Sequence, residues 1–168
     1  IKNFTEKEGL SNNNIKTVME DVEGNLFLGS DGGGIIKFNN ENFMSYTDEG
    51  VVGSNVVMSV LEDFDKNIWI STYEQGVGVF TDEGFKLYTT KDGLGNNTVW
   101  CSMITRENEF WAGTDNGVSV FENNKFKTYN KKHGLMAKKV YALVQDLSGH
   151  IWIGTREGVS VLNIANDS

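Results

Sequence analysis

The chain repeats itself four times, and the length of the repeat constrains the fold more than any other feature. Aromatic residues recur at steps of 42, 42 and 41 residues, at Phe27, Trp69, Trp111 and Trp152. A second aromatic series keeps the same steps, at Phe4, Tyr46, Tyr88 and Tyr129. A period of this length indicates one supersecondary unit that is copied along the chain and that cannot bury its apolar faces alone. The expected repeats are residues 1–42, 43–84, 85–125 and 126–168.

Each copy predicts four short β-strands, which we call A, B, C and D. In the second copy the runs rich in β-branched and aromatic residues are residues 56–61, 67–71, 76–80 and 84–88. Four-stranded antiparallel units of about 42 residues, packed face to face, are typical of a β-propeller. The predicted fold is therefore all-β, a propeller of four such blades, with Trp69, Trp111 and Trp152 buried between blades.

The order of the strands suggests how a ring closes. Residues 1–4 align with the D strand at residues 43–46, and the last predicted strand, residues 158–162, is a C strand. The order is D, then three ABCD sets, then ABC, so the first strand is able to close the last blade and cover its edge. Three arrangements stay open: an eight-blade homodimer, a larger ring completed by neighbouring propeller repeats, and a four-blade monomer.

The composition of the chain excludes several classes of function. The net charge of −8 argues against a nucleic-acid surface and against docking on anionic lipid. No apolar run approaches the length that spans a bilayer, so we expect no direct membrane contact by this chain. The single cysteine, Cys101, falls in an apolar run and is expected to be buried. Because the sequence contains no catalytic or metal-ligating motif, we expect no enzyme, no cofactor and no metal.

The repeat resembles a known family. Its core reads Asp–x–x–Gly–x–apolar–Trp–apolar–Gly–Thr, and the matching stretches in the first and fourth copies are residues 9–12, 21–30, 34–36, 134–135, 145–155 and 158–159. This pattern resembles the two-component regulator propeller repeat over essentially the whole chain. The departures are Phe27 for Trp, Ser71 for Gly and Thr105 for Asp. The resemblance implies a sensor ectodomain outside the cytoplasmic membrane, anchored and followed by a signalling output beyond this chain, and such sensors often recognise carbohydrates.

A ligand site is expected where the copies differ, on the D–A and B–C connections that emerge on one face of a propeller. The candidates share a place just before or inside strand A, or after strand B: Asn13, Asn55, Asn97, Lys138, Trp100, Tyr141, Tyr73 and Arg156. Amide groups beside aromatic faces suit a polyol or sugar, which needs hydrogen bonds and an apolar platform.

Two functions compete. The first is a non-catalytic, ligand-sensing extracytoplasmic propeller, with a small molecule or glycan as its ligand. The second is a scaffold propeller that mediates oligomerisation or protein interaction without a small molecule. A concave site on the D–A and B–C face favours the first, and an exposed apolar patch favours the second.

Overall fold

A computed structural model of the chain describes residues 1–39, 41–46 and 55–163. It contains three antiparallel sheets of four strands and one of three, and each sheet takes its strands in sequence order. The first two sheets are β1 Ile15–Glu20, β2 Leu26–Ser30, β3 Ile35–Phe38 and β4 Phe43–Tyr46, then β5 Val57–Glu62, β6 Ile68–Thr72, β7 Val77–Thr81 and β8 Gly84–Tyr88. The others are β9 Val99–Ile104, β10 Phe110–Thr114, β11 Gly117–Glu122 and β12 Lys125–Tyr129, then β13 Val140–Gln145, β14 Ile151–Thr155 and β15 Gly158–Leu162.

The core lies between successive sheets, where buried side chains of adjacent sheets pack together. In β6 and in β10 all five residues are buried. The Trp69 ring of the second sheet stacks on Phe110 of the third, with centroids 4.3 Å apart. Trp111 of the third sheet packs into a cluster with Val140 and with two residues of β14. The predicted all-β architecture and its antiparallel four-stranded sheets are confirmed over the described residues.

Close approach between sheets explains a glycine in strand B. A Cβ added at Gly113 would lie 2.5 Å from Cys101 Sγ and 2.7 Å from a methyl carbon of Val140 in the fourth sheet. At Gly29 the added Cβ would lie 2.6 Å from Val57 of the second sheet. The second sheet departs from this pattern with Ser71, which is fully buried and whose hydroxyl oxygen has no hydrogen-bond partner.

The recurring aspartate of the repeat caps the A–B turn. Asp63 Oδ1 accepts hydrogen bonds from the backbone N–H groups of Asp65 and Asn67, at 2.9 Å each. Its Oδ2 accepts from the indole N–H of Trp69 at 2.7 Å, so the turn also fixes the tryptophan. In the third sheet Thr105 stands in place of the aspartate, and the indole of Trp111 donates to Glu109 instead, at 3.1 Å. The substitution therefore changes the acceptor without changing the fold.

Two expectations about the ends were wrong for the single chain. Residues 1–5 form no strand; Phe4 packs instead on Phe38 and Phe43 of the first sheet, with centroids 5.7 and 5.4 Å apart. The fourth sheet accordingly has three strands, β13, β14 and β15. Trp152 is 43% exposed, whereas Trp69 and Trp111 are 6% and 2% exposed. The reason is physical: among the described residues no fifth sheet packs on the outer face of the fourth.

Short 3-10 helices in the D–A connections were not predicted. They are Glu6–Glu8, Thr90–Asp92 and Lys131–His133. Each has a capping box, in which the side chain of the residue before the turn and the side chain of its third residue exchange hydrogen bonds with the backbone. Each ends at a glycine in the left-handed region, for example Gly93 with φ 93°. These turns set the direction in which the chain enters each first strand.

Candidate functional site

One residue in the first strand of every sheet is bulged out of the ladder. Pairing between the first and second strands skips a residue at the same place each time. The skipped residues are Lys16, Met58, Trp100 and Tyr141, and we call them the bulge row. A bulge leaves its residue unpaired and re-aims its side chain, and bulges are common beside active sites. The first strands of successive sheets also lie against one another, so the four bulges are neighbours.

The bulge row meets the B–C connections in lines of contacting side chains, one within the first sheet and another from the second sheet to the third. Within sheets, Lys16 Nζ lies 3.0 Å from Asp31 Oδ2, and the indole N–H of Trp100 donates to Asp115 Oδ1 at 2.6 Å. Between sheets, Tyr73 meets Trp100 edge to face with centroids 5.8 Å apart. The structure therefore brings Tyr73 of the second sheet to Trp100 and Asp115 of the third, residues that the sequence separates by up to 42 positions.

Tyr141 extends the line into the fourth sheet. The ring centroids of Trp100 and Tyr141 are 5.7 Å apart, and the Arg156 guanidinium lies 5.2 Å from the Tyr141 centroid. Four of the predicted site residues are thus contiguous: Tyr73, Trp100, Tyr141 and Arg156. They form a polar-edged aromatic surface, which is the chemistry expected for a polyol or sugar.

Lys139 belongs to this surface and was missed by sequence reasoning. Its Nζ lies 2.9 Å from Asp115 Oδ1 and 5.4 Å from the Trp100 ring centroid. The hydrogen bond to the Asp115 carboxylate raises the pKa of Lys139, so the ammonium stays charged. The carboxylate therefore joins the indole N–H of one sheet to the ammonium of the next. The sequence signal was the pair Lys138–Lys139 directly ahead of strand β13.

The bulges themselves had a sequence signal too. Residues on one face of a strand are spaced by two, and a bulge adds one residue. In the second sheet Val57 and Val60 are both buried on the face toward the first sheet, at a spacing of three. The same spacing separates Ile15 from Val18 and Val140 from Leu143 in the sequence.

The predicted site asparagines hydrogen-bond to the backbone of neighbouring loops, so their main role is structural. Asn13 Oδ1 accepts from the backbone N–H of Glu6 at 2.8 Å, and Asn97 Oδ1 accepts from that of Thr90 at 2.9 Å. Their side chains brace the D–A connections, so each of these oxygens already accepts a hydrogen bond from the backbone. Asn55, Asn97 and Lys138 act through the backbone: their carbonyl oxygens accept from glycines in the B–C connection of the preceding sheet, at 2.7 to 3.0 Å. These bonds hold each bulge against its neighbouring sheet. The side chains of Asn55 and Lys138 are exposed.

Other chemistry-bearing groups are held in local turns. His133 Nδ1 accepts from the backbone N–H of Asn130 at 3.1 Å, and His150 Nδ1 lies 3.0 Å from Asp146 Oδ2. Burial raises the pKa of the Cys101 thiol to about 12, so it is unreactive at neutral pH. In residues 1–39, 41–46 and 55–163, no group of three or more His, Cys, Asp or Glu side chains could hold a metal ion. None of the helices described is long and apolar enough to cross a bilayer.

Comparisons with known proteins agree with the propeller repeat that the sequence predicts. Residues 51–74 match the family model of the two component regulator propeller, which confirms the resemblance in the second copy. No curated protein sequence matches the chain. The extracellular domain described for the hybrid two component system BT3049 of B. thetaiotaomicron has a similar structure, with a TM-score of 0.86 and 20% identity over 98% of this chain. That of BT4673 from the same organism gives a TM-score of 0.74 and 22% identity over 94%.

The fold is shared with an enzyme as well. A catalytically inactive virginiamycin B lyase from Staphylococcus aureus matches with a TM-score of 0.65 and 14% identity, over 92% of this chain and 57% of the lyase. The present chain spans only 24% and 22% of the two extracellular domains. At these identities the likeness shows a common propeller-like fold, and function has to be argued from the residues of this chain.

Proposed function

We propose that this chain is the ligand-sensing part of an extracytoplasmic propeller in a membrane-anchored signalling protein, and that it binds a glycan or polyol without catalysis. The observation that carries the proposal is the bulge row. The bulge recurs in all four sheets, yet its side chain changes from Lys16 to Met58, Trp100 and Tyr141. A conserved backbone distortion that presents a different side chain in each copy is suited to recognition, because it gives one surface several distinct contacts.

Trp100 and Tyr141, the aromatic members of the bulge row, provide the apolar platform on which a sugar stacks. Trp100 and Tyr141 are half-buried and Tyr73 is exposed, so their rings are held by neighbours but remain accessible. Charged groups stand at the edge of the rings: Arg156 over Tyr141, and the Lys139–Asp115 pair beside Trp100. Sugar hydroxyls can accept from the cations and donate to the carboxylate while apolar sugar faces stack on the rings.

The absence of catalysis is part of the proposal, and the local bonding supports it. Both histidines are engaged in turn contacts far apart in the repeat, and the Cys101 thiol has its pKa raised by burial. The extracytoplasmic setting rests on the resemblance and on the two sensor domains with a similar fold. The alternative is a scaffold propeller without a ligand, and the apolar outer face of the fourth sheet is the observation that favours it.

Binding measurements test the proposal. Isothermal titration of the chain against a panel of neutral and acidic oligosaccharides should find a binder, and Trp100→Ala should weaken its binding by about tenfold, which corresponds to ~1.4 kcal/mol. Tyr141→Ala should act in the same direction. The matched control is Phe64→Ala, because Phe64 is an exposed aromatic residue in an A–B turn, away from the bulge row. Equal binding by Trp100→Ala and wild type would contradict the assigned surface, and turnover of a bound glycan would contradict the non-catalytic role.

A further inference from the structure

We propose that a cavity between the first and second sheets binds a small planar aromatic acid, with the ring of the ligand between the two sheets and its carboxylate on the ammonium of Lys37. The site goes beyond the proposed function, because it is separate from the bulge row. Phe27 and Ile68, which line the cavity, lie where their second strands begin, next to the A–B turns. The bulge row lies where the first strands begin, at the opposite end of each antiparallel sheet.

The cavity has room for one ring. Its volume is about 200 Å³, and an apolar cavity of roughly 150 Å³ engineered in another protein takes up benzene. The described residues that line it come from both sheets and include three aromatic side chains: Phe27, Lys37, Tyr46, Ile68 and Phe80. Phe27 and Ile68 are buried, whereas the other three are partly exposed, so a ligand can enter from solvent. Aromatic walls favour a planar ring, which can pack on them edge to face or offset.

Two smaller side chains at this junction account for the cavity. At the junction of the second and third sheets, Trp69 fills the equivalent place and its ring stacks on that of Phe110, with centroids 4.3 Å apart. The strand registers make Phe27 equivalent to Trp69 and Ile68 equivalent to Phe110. Each replacement removes part of a ring system, so the first junction is left with unfilled volume between its sheets. A ligand ring would restore the aromatic packing that the chain itself supplies at the next junction.

A third departure from the repeat places a cation in the wall of the cavity. The aromatic residue of the second strand pairs with Lys37 in the first sheet, and with a valine in the other three sheets, at Val79, Val120 and Val161. Lys37 Nζ lies 5.2 Å from the centroid of the Phe27 ring, beside the space that a ligand ring would enter. The ion pairs found among the described residues do not include Lys37. Two departures make room and the third supplies a cation, which together fit a ring that carries a negative charge.

The aspartate of the neighbouring turn receives its hydrogen bonds from that turn. In the second and fourth sheets an indole N–H donates to the equivalent aspartate, whereas Phe27 has no N–H to give. Asp21 Oδ2 accepts instead from the side-chain amide of Asn25 at 2.7 Å, and its Oδ1 accepts from two backbone N–H groups. Burial opposes the ionisation of Asp21, but these hydrogen bonds and the charge of Lys37 lower its pKa. Lys37 therefore supports Asp21 by its charge, and its three N–H groups can donate to a ligand carboxylate.

Three matched probes test the chemistry of the site. They are benzoate, benzyl alcohol, which keeps the ring without the charge, and cyclohexanecarboxylate, which keeps the charge without a planar ring. Each is titrated into the isotope-labelled chain and followed by the amide chemical shifts. Benzoate should saturate with a Kd of about 1 mM or tighter and should shift the amides of Phe27, Ile68 and Phe80. The other two probes should bind about tenfold more weakly, because each lacks one of the two contacts. Benzoate that does not saturate by about 20 mM, or that shifts only residues elsewhere, would overturn the proposal.

Variants of the lining residues test the two contacts separately. Lys37→Met removes the charge and keeps an unbranched side chain, so it should weaken benzoate binding about tenfold and leave benzyl alcohol binding unchanged. Phe27→Trp restores the residue that the repeat uses and should abolish binding of all three probes by filling the cavity. Ile68→Phe, which copies the next junction at the other position, should act in the same way, and the amide spectrum shows whether each variant is folded. Lys37→Met that binds benzoate as tightly as wild type would contradict the carboxylate contact. Undiminished binding by a folded Phe27→Trp or Ile68→Phe variant would contradict the cavity.

A matched control lysine lies on another sheet. Lys127 also stands over an aromatic ring, with its Nζ 5.0 Å from the Tyr129 centroid, but it belongs to β12 of the third sheet. Lys127→Met should therefore bind benzoate like wild type, and weakened binding in this variant would overturn the assignment to the first junction. Saturating benzoate should leave the amide shifts of Trp100 and Tyr141 unchanged, so the glycan surface and this cavity are tested independently. Benzoate shifts centred on those two residues would place the acid at the bulge row and contradict the separate site.

Discussion

Trp111 and Trp152 occupy the same position in successive repeats, yet one is 2% exposed and the other 43%. The third sheet is covered on both faces, by Trp69 and its neighbours on one side and by the fourth sheet on the other. Among the described residues, side chains pack on one face of the fourth sheet only. The difference teaches that in this fold the repeat specifies a blade but a neighbouring blade supplies its burial, as expected when each unit contacts only the next.

The largest expected effect is the contrast between the two tryptophans. Trp111→Ala should lower the free energy of unfolding by about 3–5 kcal/mol, since it empties a closed junction. Trp152→Ala, measured in dilute solution, should cost roughly 1–2 kcal/mol, because much of its ring is already in water. Urea titrations of both variants give the two values. Equal losses would mean that the outer face of the fourth sheet is closed in the single chain.

A smaller contrast is expected at the glycines beside these tryptophans. Gly113→Ala should destabilise the chain by about 1–3 kcal/mol, because the new methyl group meets Cys101 and Val140 in a filled core. Gly154→Ala should change stability by less than ~0.5 kcal/mol in dilute solution, since its added Cβ would meet Ala142 at 3.1 Å and nothing from another sheet. Thermal melts of the matched pair check this. A costly Gly154→Ala would show that something covers this strand.

The smallest expected effect is a pH dependence of stability that arises in the turn before Trp152 and not in the turn before Trp111. The indole N–H of Trp152, together with His150 and backbone N–H groups, holds the pKa of Asp146 at about 2. This folded-state pKa lies below the ordinary value of about 3.9, so the ionised carboxylate stabilises the fold above pH ~4 and this contribution is lost as the pH falls toward 2. The stability difference between wild type and Asp146→Asn should therefore shrink over that window.

Thr105 provides the internal control for the acid dependence. It replaces the aspartate in the third sheet and has no carboxylate to titrate. Thr105→Ser should therefore keep the same stability difference from wild type between pH 5 and pH 2. An Asp146→Asn difference that is equally constant with pH would contradict the lowered pKa.

The sequence could predict the blade because the information is local and repeated. Strands β5 to β8 fall within one residue of the predicted runs, and the aspartate caps follow from turn chemistry. It could also place Trp100, Tyr141, Tyr73 and Arg156 on one face by alignment of the copies. The burial of Trp152 could not be predicted correctly, because burial depends on a neighbour that the repeat does not encode.

The roles of the asparagines could not be predicted from the sequence, for a related reason. An asparagine is equally suited to a turn and to a ligand site. Only the folded structure shows that the side-chain oxygens of Asn13 and Asn97 accept hydrogen bonds from the backbone N–H groups of Glu6 and Thr90. Lys139 was missed because its partner Asp115 lies in another sheet, 24 residues earlier in the chain. Contacts between copies are set by packing, so they follow from the fold and cannot be found within one repeat.

Hydrogen exchange of the chain in dilute solution tests most directly whether the fourth sheet is an open junction. In dilute monomer, amides of β14 and β15 should exchange faster than those of β10 and β11, because one face and the outer edge of their sheet are uncovered. Equal protection of both pairs in the monomer would contradict the open junction.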